Sequence, residues 1–163
     1  MSIKLNFEIQ RQDYVDFNKH HFIKTKLKKT IITGALVLVV MHIVFSLDGY
    51  NLEAGIVASL VGILIYTLLI LRSINSTKRI PKDDGAILGT KVLEFTEDGI
   101  THTDANSNGF SKWSAIKYLQ QGSKAFYLYM DTNLAILIPK RCFKDMTEMD
   151  DFETFVTERL NNA

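Results

Sequence analysis

The sequence predicts an α+β membrane protein, in which a two-helix transmembrane hairpin is joined to a small antiparallel β sandwich or barrel capped by a C-terminal helix. Two long apolar runs in the first half, separated by a short polar turn, predict the hairpin. Short segments of β character between turn residues fill the second half and predict the sheet. The 163 residues are 47% hydrophobic and 23% charged, with a net charge of +1, which excludes a disordered chain.

Both apolar runs are long enough to cross a bilayer. The first covers residues 30–47 and the second covers residues 52–71, where Glu53 is the only charged residue. Helices of these lengths span about 27 to 30 Å, comparable with a hydrocarbon core of about 30 Å. The polar link at residues 48–51 predicts a tight turn, so the helices should run antiparallel. The alternative is a pair of buried helices in a soluble core, but neither run has the polar stripe of such helices.

The placement of charge predicts the topology and the boundaries of the segments. Residues 1–29 contain seven Lys or Arg and three acids, and more cations follow the second run, whereas the link between the runs has no Lys or Arg. The positive-inside rule therefore places both termini in the cytoplasm. The single cysteine, Cys142, then lies where a free thiol is expected. The predicted segments are residues 1–29, the hairpin at 30–71, a juxtamembrane linker at 72–84 and a cytoplasmic domain at 85–163.

Small residues within the runs favour close packing of the hairpin helices. Gly34 lies in the first run, and Gly55, Ser59 and Gly62 recur at helical spacing in the second. A dimer face is the alternative use of these positions. His42 is the one titratable side chain well inside a span, and we interpret it as a neutral residue near the interface rather than a proton relay.

The remaining sequence predicts strands and two amphipathic helices. Residues 3–9 alternate strictly between apolar and polar side chains and predict a strand. We expect this strand to join the C-terminal sheet, which makes the hairpin an insertion into one domain. Residues from about 11 predict a helix that leads into the first span. Further strands are predicted at 91–95, 100–104, 110–113, 116–120, 125–130 and 134–138, and a helix at 147–160.

Basic residues supply the candidate binding positions. Lys28 and Lys29 precede the first span, and Lys140, Arg141 and Lys144 follow the last predicted strand. Either group is a candidate contact for an anion or a lipid head group, and the alternatives are topology signals and solvated charges. The sequence predicts no catalytic, cofactor or metal site, since it lacks the usual nucleophile, phosphate-loop, dinucleotide and zinc patterns. Nucleic-acid binding is disfavoured because residues 85–163 carry a net charge of −3.

Several motifs resemble the YcxB-like family of small bacterial membrane proteins. The resemblance includes the N-terminal strand with Asp13-Tyr14 and Phe17-Asn18, the hairpin, and the segment 93–100 (LEFTEDGI). It continues through Trp113-Ser114-Ala115-Ile116, the strand at 126–130, and the segment 138–143 (IPKRCF). The family resembles membrane-tethered bacterial pleckstrin-homology-like domains. The resemblance therefore implies a pleckstrin-homology-like cytoplasmic domain, a multi-pass protein of the bacterial inner membrane, and no catalytic residues.

Two functions fit these observations. The favoured one is a non-enzymatic, membrane-anchored interaction or regulatory module whose cytoplasmic β domain binds a protein or a lipid head group. The alternative is an auxiliary or immunity-type membrane subunit that acts through its hairpin. The expected partners are the bilayer and either a protein or a second copy of the chain. Trp113 is expected to anchor the core rather than to form a ligand platform.

Overall fold

The computed structural model describes residues 2–46, 51–83, 85 and 87–163. Two compact units are present: residues 1–17 with 78–163 form the β unit, and residues 18–77 form the helical unit. The chain is therefore a mixed α+β protein in which a helical segment is inserted into a β unit. The predicted link at residues 48–50 lies outside the described residues.

The β unit consists of two antiparallel sheets and helices. A four-stranded sheet has the order β1-β2-β3-β4, and a three-stranded sheet has the order β5-β6-β7. The strands are β1 (Ile3–Ile9), β2 (Gly89–Phe95), β3 (Gly99–Asp104), β4 (Asn108–Lys112), β5 (Tyr118–Gln121), β6 (Ala125–Asp131) and β7 (Leu134–Pro139). Helix α1 (Arg11–His21) begins in this unit, and α4 (Met146–Asn161) ends it.

The N-terminal strand joins the sheet, which confirms that expectation. β1 pairs antiparallel with β2, so that Ile3 lies opposite Phe95 and Leu5 lies opposite Leu93. The strict alternation of β1 places Leu5, Phe7 and Ile9 in the core and the intervening side chains on the outer surface. The first strand of the chain thus completes a sheet whose other strands all follow the helical segment.

One aromatic core connects both sheets to the C-terminal helix. The ring centroid of Phe152 on α4 lies 5.1 Å from that of Phe95 on β2 and 5.5 Å from that of Phe126 on β6. Trp113 is buried, as expected, and its indole Nε1 donates a 2.9 Å hydrogen bond to the carbonyl of Thr96. This bond satisfies the polar edge of a ring that is otherwise surrounded by apolar side chains.

The predicted strands at 110–113 and 116–120 need small corrections. Trp113–Ala115 forms a 3₁₀ turn, closed by a 2.9 Å hydrogen bond from the Ile116 amide to the Trp113 carbonyl, and β5 starts only at Tyr118. The turn lies between the last strand of one sheet and the first strand of the other. The turn allows both Trp113 and Ile116 to be buried in the same core. In a continuous strand these two residues would point to opposite faces, because they are three positions apart.

A charged pair lies across β2 and β3. Lys91 and Asp104 are register partners, and the Lys91 ammonium lies 2.9 Å from the Asp104 carboxylate. This hydrogen bond, together with one from the Asn106 amide, holds the pKa of Asp104 well below its usual range. The same carboxylate also accepts a bond from the Ser107 amide, so it fixes the turn that leads into β4.

The helical unit contains two long helices. A π-helical segment (Phe22–Lys26) follows α1 and leads into α2 (Leu27–Ser46), and α3 covers Leu52–Ser76. The first predicted span, residues 30–47, lies within α2 as far as Ser46, and the second ends five residues before α3 does. A Cβ on Gly34 of α2 would lie 3.4 Å from the ring of Tyr66 on α3. Because only five residues link the end of α2 to the start of α3, this approach requires the two helices to run antiparallel.

Within the described residues, one helix is long and apolar enough to cross a membrane. It lies within Glu53–Arg79, and its most apolar window has a mean hydropathy of 2.5 and is 6% buried. One such helix is by itself weak evidence of membrane association, because core helices of soluble proteins also meet these criteria of length and composition. The two-span hairpin therefore stays a prediction.

Gly99 provides a test of the close approach between β3 and β4. A Cβ atom at this position would lie 2.3 Å from the backbone carbonyl oxygen of Ser111. We expect Gly99→Ala to destabilise the β unit by about 1–3 kcal/mol, because the β3–β4 pairing must shift to remove the overlap. The measurement is unfolding of the purified protein followed by the fluorescence of Trp113. The matched control is Gly62→Ala, where a Cβ would meet no atom within 4 Å, and equal losses in the two variants would contradict the prediction.

Candidate functional site

The basic turn after β7 is the first candidate site, and the structure gives its central arginine a partner. Lys140–Cys142 forms a 3₁₀ turn. The Arg141 guanidinium donates to both carboxylate oxygens of Asp13, at 2.6 and 2.7 Å, and to the backbone carbonyl of Glu8 at 2.7 Å. The hydrogen bond to Asp13 raises the pKa of Arg141. An anion that binds Arg141 would therefore have to compete with the bidentate contact between Arg141 and the Asp13 carboxylate.

The other two basic residues of this turn have different surroundings. The Lys140 ammonium lies 5.1 Å from the centre of the Phe126 ring, a cation–π arrangement. The Lys144 side chain is exposed, while its backbone amide donates to the Glu148 carboxylate at 2.7 Å. Asp145 in turn accepts from the Glu148 amide, so the acidic start of α4 forms a helix cap. Lys140, Arg141 and Lys144 are thus neighbours along the chain but do not form three equivalent free cations.

The partner of Arg141 belongs to α1, which covers the outer face of the three-stranded sheet. The ring of Phe17 lies 5.4 Å from that of Tyr127 and 6.2 Å from that of Tyr129. Asp16 forms a 2.9 Å ion pair with Lys124. Burial raises the pKa of both tyrosines to about 12. The first two turns of α1 are therefore held on the sheet by the aromatic packing of Phe17 and by two ion pairs.

A second arginine fixes the place where the chain returns to the β unit. Arg11, the first residue of α1, donates to the backbone carbonyls of Lys78 and Pro81, at 2.5 and 2.7 Å, and to the Asp83 carboxylate. Pro81 is fully buried. The residues that precede and follow the helical insertion are thus linked directly to each other.

The contacts of α1 with β6 and with Arg141 were not predicted from the sequence, although β6 carries one signal for them. The β6 strand is apolar at every position from Ala125 to Tyr129 rather than at alternate ones. Such a strand is buried on both faces, and so requires a covering layer on each. Phe126 and Leu128 contact the main core, while Tyr127 and Tyr129 need a second cover. Sequence patterns do not show which element covers these two side chains. In the structure the covering element is α1, through Phe17.

Lys28 and Lys29, the second basic candidate group, lie in the first turn of α2. Both side chains are exposed, as are Lys24 and Lys26 in the preceding π-helical segment. None of the four makes an ion pair with a residue that the structure describes. Contact of these lysines with an anionic surface stays a prediction. Their exposed ammonium groups are accessible for such a contact.

The small residues of the predicted hairpin have unequal surroundings. A Cβ on Gly34 would lie 3.4 Å from the Tyr66 ring, so this glycine allows α2 to approach α3. Gly55 is buried and Ser59 is half-buried. Gly62 lines an open groove of about 590 Å³ between the two helices, together with apolar side chains. Gly34 thus lies close to Tyr66, the position of Gly62 faces open space, and a packing role for the four small residues stays a prediction.

The described residues include no group of three or more His, Cys, Asp or Glu side chains that could hold a metal ion. Cys142 is half-buried and unpaired, and burial raises the pKa of its thiol to about 11. The thiolate is the reactive form of cysteine, so this side chain is poorly reactive at neutral pH.

The Arg141–Asp13 pair can be tested by a double-mutant cycle. We expect Arg141→Gln and Asp13→Asn to show a coupling of about 1 kcal/mol, because the contact is bidentate and Asp13 is only 11% exposed. The free energy of unfolding of the four proteins gives this coupling. The control pair is Arg159 and Glu97, which share a single 3.1 Å contact with a 66% exposed glutamate, so that their coupling should be smaller. A coupling at Arg141–Asp13 no larger than that of the control would contradict the prediction.

Comparison with known families supports the resemblance seen in the sequence. The family described as YcxB-like protein matches residues 95–156, which run from the end of β2 into α4. Comparison with curated proteins and with solved structures gives no match. The matched segment includes β3 to β7, the Trp113 turn and the Arg141 turn. Residues 95–156, 62 of the 163 in the chain, are therefore similar to the YcxB-like family.

Proposed function

We propose that the protein is a non-enzymatic interaction or regulatory module anchored in the bacterial inner membrane. Residues 30–47 and 52–71 form a transmembrane hairpin, both termini lie in the cytoplasm, and the β unit binds a protein or a lipid head group. The observation that carries this proposal is the insertion of an exposed, apolar helix pair between two paired strands of one folded unit.

The exposure of the helix pair supports the membrane anchor. Large apolar side chains on both helices are solvent-exposed, for example Leu36 at 62% and Leu60 at 63%. A soluble protein rarely exposes an apolar surface of this extent to water. In a bilayer, lipid chains cover such a surface without an unfavourable hydration free energy. Because β1 and β2 pair, the two ends of the insertion return to one folded unit, which supports an even number of spans.

The β unit supports a binding role rather than a catalytic one. Seven antiparallel strands in sheets of four and three, followed by one helix, agree with the pleckstrin-homology-like arrangement implied by the family. The most exposed aromatic side chain of the sheets is Phe110, at 52%, on β4. β4 is one of the two edge strands of its sheet among the described strands, and such an edge can pair with an extended segment of a partner.

The groove between α2 and α3 favours a second function. It is open and apolar, and the small residue Gly62 leaves space for the close approach of a helix from another membrane protein. In that case the protein is an auxiliary or immunity-type subunit that acts through its hairpin, and the β unit only stabilises it.

The membrane topology can be tested with single-cysteine variants in a Cys142→Ala background. We expect Asn51→Cys, which lies at the start of α3, to react with a membrane-impermeant maleimide in wall-free cells, because the proposed hairpin places it outside. Asn106→Cys lies in the exposed β3–β4 turn and should react only after lysis. Reaction of Asn106→Cys in intact cells, or recovery of the protein in the soluble fraction, would contradict the proposed topology.

The two functions can be separated with two variants of the full-length protein. After purification in mild detergent, specific partners are identified by mass spectrometry. If the β unit binds the partner, Phe110→Ser should lower its recovery about tenfold, as expected for an interface aromatic worth about 1.4 kcal/mol. Gly62→Leu, which fills the groove, should leave recovery unchanged.

The matched control is Lys112→Ser, an exposed side chain on the same strand as Phe110. The reverse result, with loss of the partner only in Gly62→Leu, would favour the hairpin function. Failure to recover a specific partner, together with no binding to anionic lipids, would count against the β unit as a binding module.

A further inference from the structure

We infer that Lys24, Lys26, Lys28 and Lys29 form a basic collar that binds the head groups of anionic phospholipids. The inference rests on the proposed function, because the collar lies at the bilayer surface only if residues 30–47 cross it. It identifies anionic lipid as one partner, and it assigns the binding to the helix rather than to the turn after β7.

The four lysines are not confined to one narrow stripe of the helix. The backbone keeps helical angles where the π-helical segment begins and ends, at His21 and Leu27. With the α-helical step of about 100° per residue, positions 26, 28 and 29 lie roughly 200°, 40° and 140° around the axis from position 24, so the lysines cover an arc of about 200°. An arc of this width lets the lysines reach head groups on more than one side of a helix that passes through the head-group layer.

The height of the collar also matches that layer. Five steps of about 1.5 Å separate positions 24 and 29, so the lysines cover about 7.5 Å along the axis. The head-group region of one leaflet is roughly 5–7 Å deep, since the full bilayer is about 40–45 Å thick and its hydrocarbon core about 30 Å. The uncharged run begins directly afterwards at Thr30.

The cations of the collar are available, whereas several cations of the β unit are not. All four collar lysines are exposed and make no ion pair with a described residue. Arg141, Lys124 and Lys91 are instead paired with Asp13, Asp16 and Asp104. By sequence, residues 18–77 contain six Lys or Arg and two acids, so the helical unit carries a net charge of +4. This unit therefore attracts anions more strongly than the net-acidic residues 85–163.

Arg72 adds a cation at the same end of the helix pair. Since α2 and α3 run antiparallel, with Gly34 next to Tyr66, the start of α2 and the end of α3 lie at the same end of the helix pair. Arg72 follows directly and is exposed. Both helices thus carry positive charge where their apolar runs meet the proposed cytoplasmic surface.

Native mass spectrometry of the full-length protein in detergent tests the inference with phosphatidylglycerol and phosphatidylcholine as the two probes. We expect phosphatidylglycerol to bind more tightly, and each Lys→Gln substitution in the collar to weaken it about fivefold, the equivalent of about 1 kcal/mol per lysine. A fourfold Lys→Arg variant should keep the preference, because the charges remain. The measurement uses purified protein, so it does not depend on the role of the same lysines in orienting the chain during insertion.

The control neutralises three exposed lysines outside both candidate groups, with Lys4, Lys112 and Lys117 changed to Gln, and is compared with a collar variant in which Lys24, Lys28 and Lys29 are changed to Gln. It should leave phosphatidylglycerol binding unchanged. Equal affinity for the two lipids in the wild-type protein, or a loss in the control instead of the collar variant, would overturn the inference while membrane anchoring stands. Recovery of the wild-type protein in the soluble fraction would instead contradict the proposed function itself.

Discussion

The pairing of β1 with β2 is the constraint on which the rest of the architecture depends. Seven residues at the N-terminus lie in register with residues 89–95, so everything between them is a closed insertion whose two ends must meet. Arg11 makes this meeting specific, because one guanidinium bonds the carbonyls of Lys78 and Pro81 as well as the Asp83 carboxylate. An insertion closed in this way can carry a membrane anchor without separating the strands on either side of it.

The same constraint determines what α1 does. Only Gln10 separates the end of β1 from the start of α1, and the helix must leave the sheet edge while still shielding the second face of β6. Phe17 packs on Tyr127 and Tyr129, while Asp13 and Asp16 pair with Arg141 and Lys124. The aromatic contacts supply the apolar burial, and the ion pairs fix the position of the helix along the sheet. Arg141 is consequently a structural residue of the β unit, which weakens the case for a lipid site at the turn after β7.

The sequence predicted the elements well because their signals are local. Strict alternation identified β1, the Asp98-Gly99 pair marked the turn between β2 and β3, and helical spacing of Phe152, Phe155 and Val156 identified α4. The pairing of Arg141 with Asp13 was not predicted, because 128 residues separate the two and neither has a local signature. The extra burial of β6 was visible as a continuous apolar run, but the sequence did not show that α1 provides the cover.

The distribution of paired and unpaired cations connects the fold to the proposed function. In the β unit, acids from β3 and α1 neutralise Lys91, Lys124 and Arg141, so these cations stabilise tertiary contacts. The collar lysines have no such acids near them in sequence: the acids nearest to them along the chain are Asp16 and Asp48, eight or more residues away. Unpaired lysines repel one another, and a cluster of them is favourable only where an external negative charge compensates it. In the function that we propose, an anionic lipid surface supplies that charge at the level where the uncharged run begins, and the same lysines then serve two purposes: they orient the proposed hairpin and they favour anionic lipids around it.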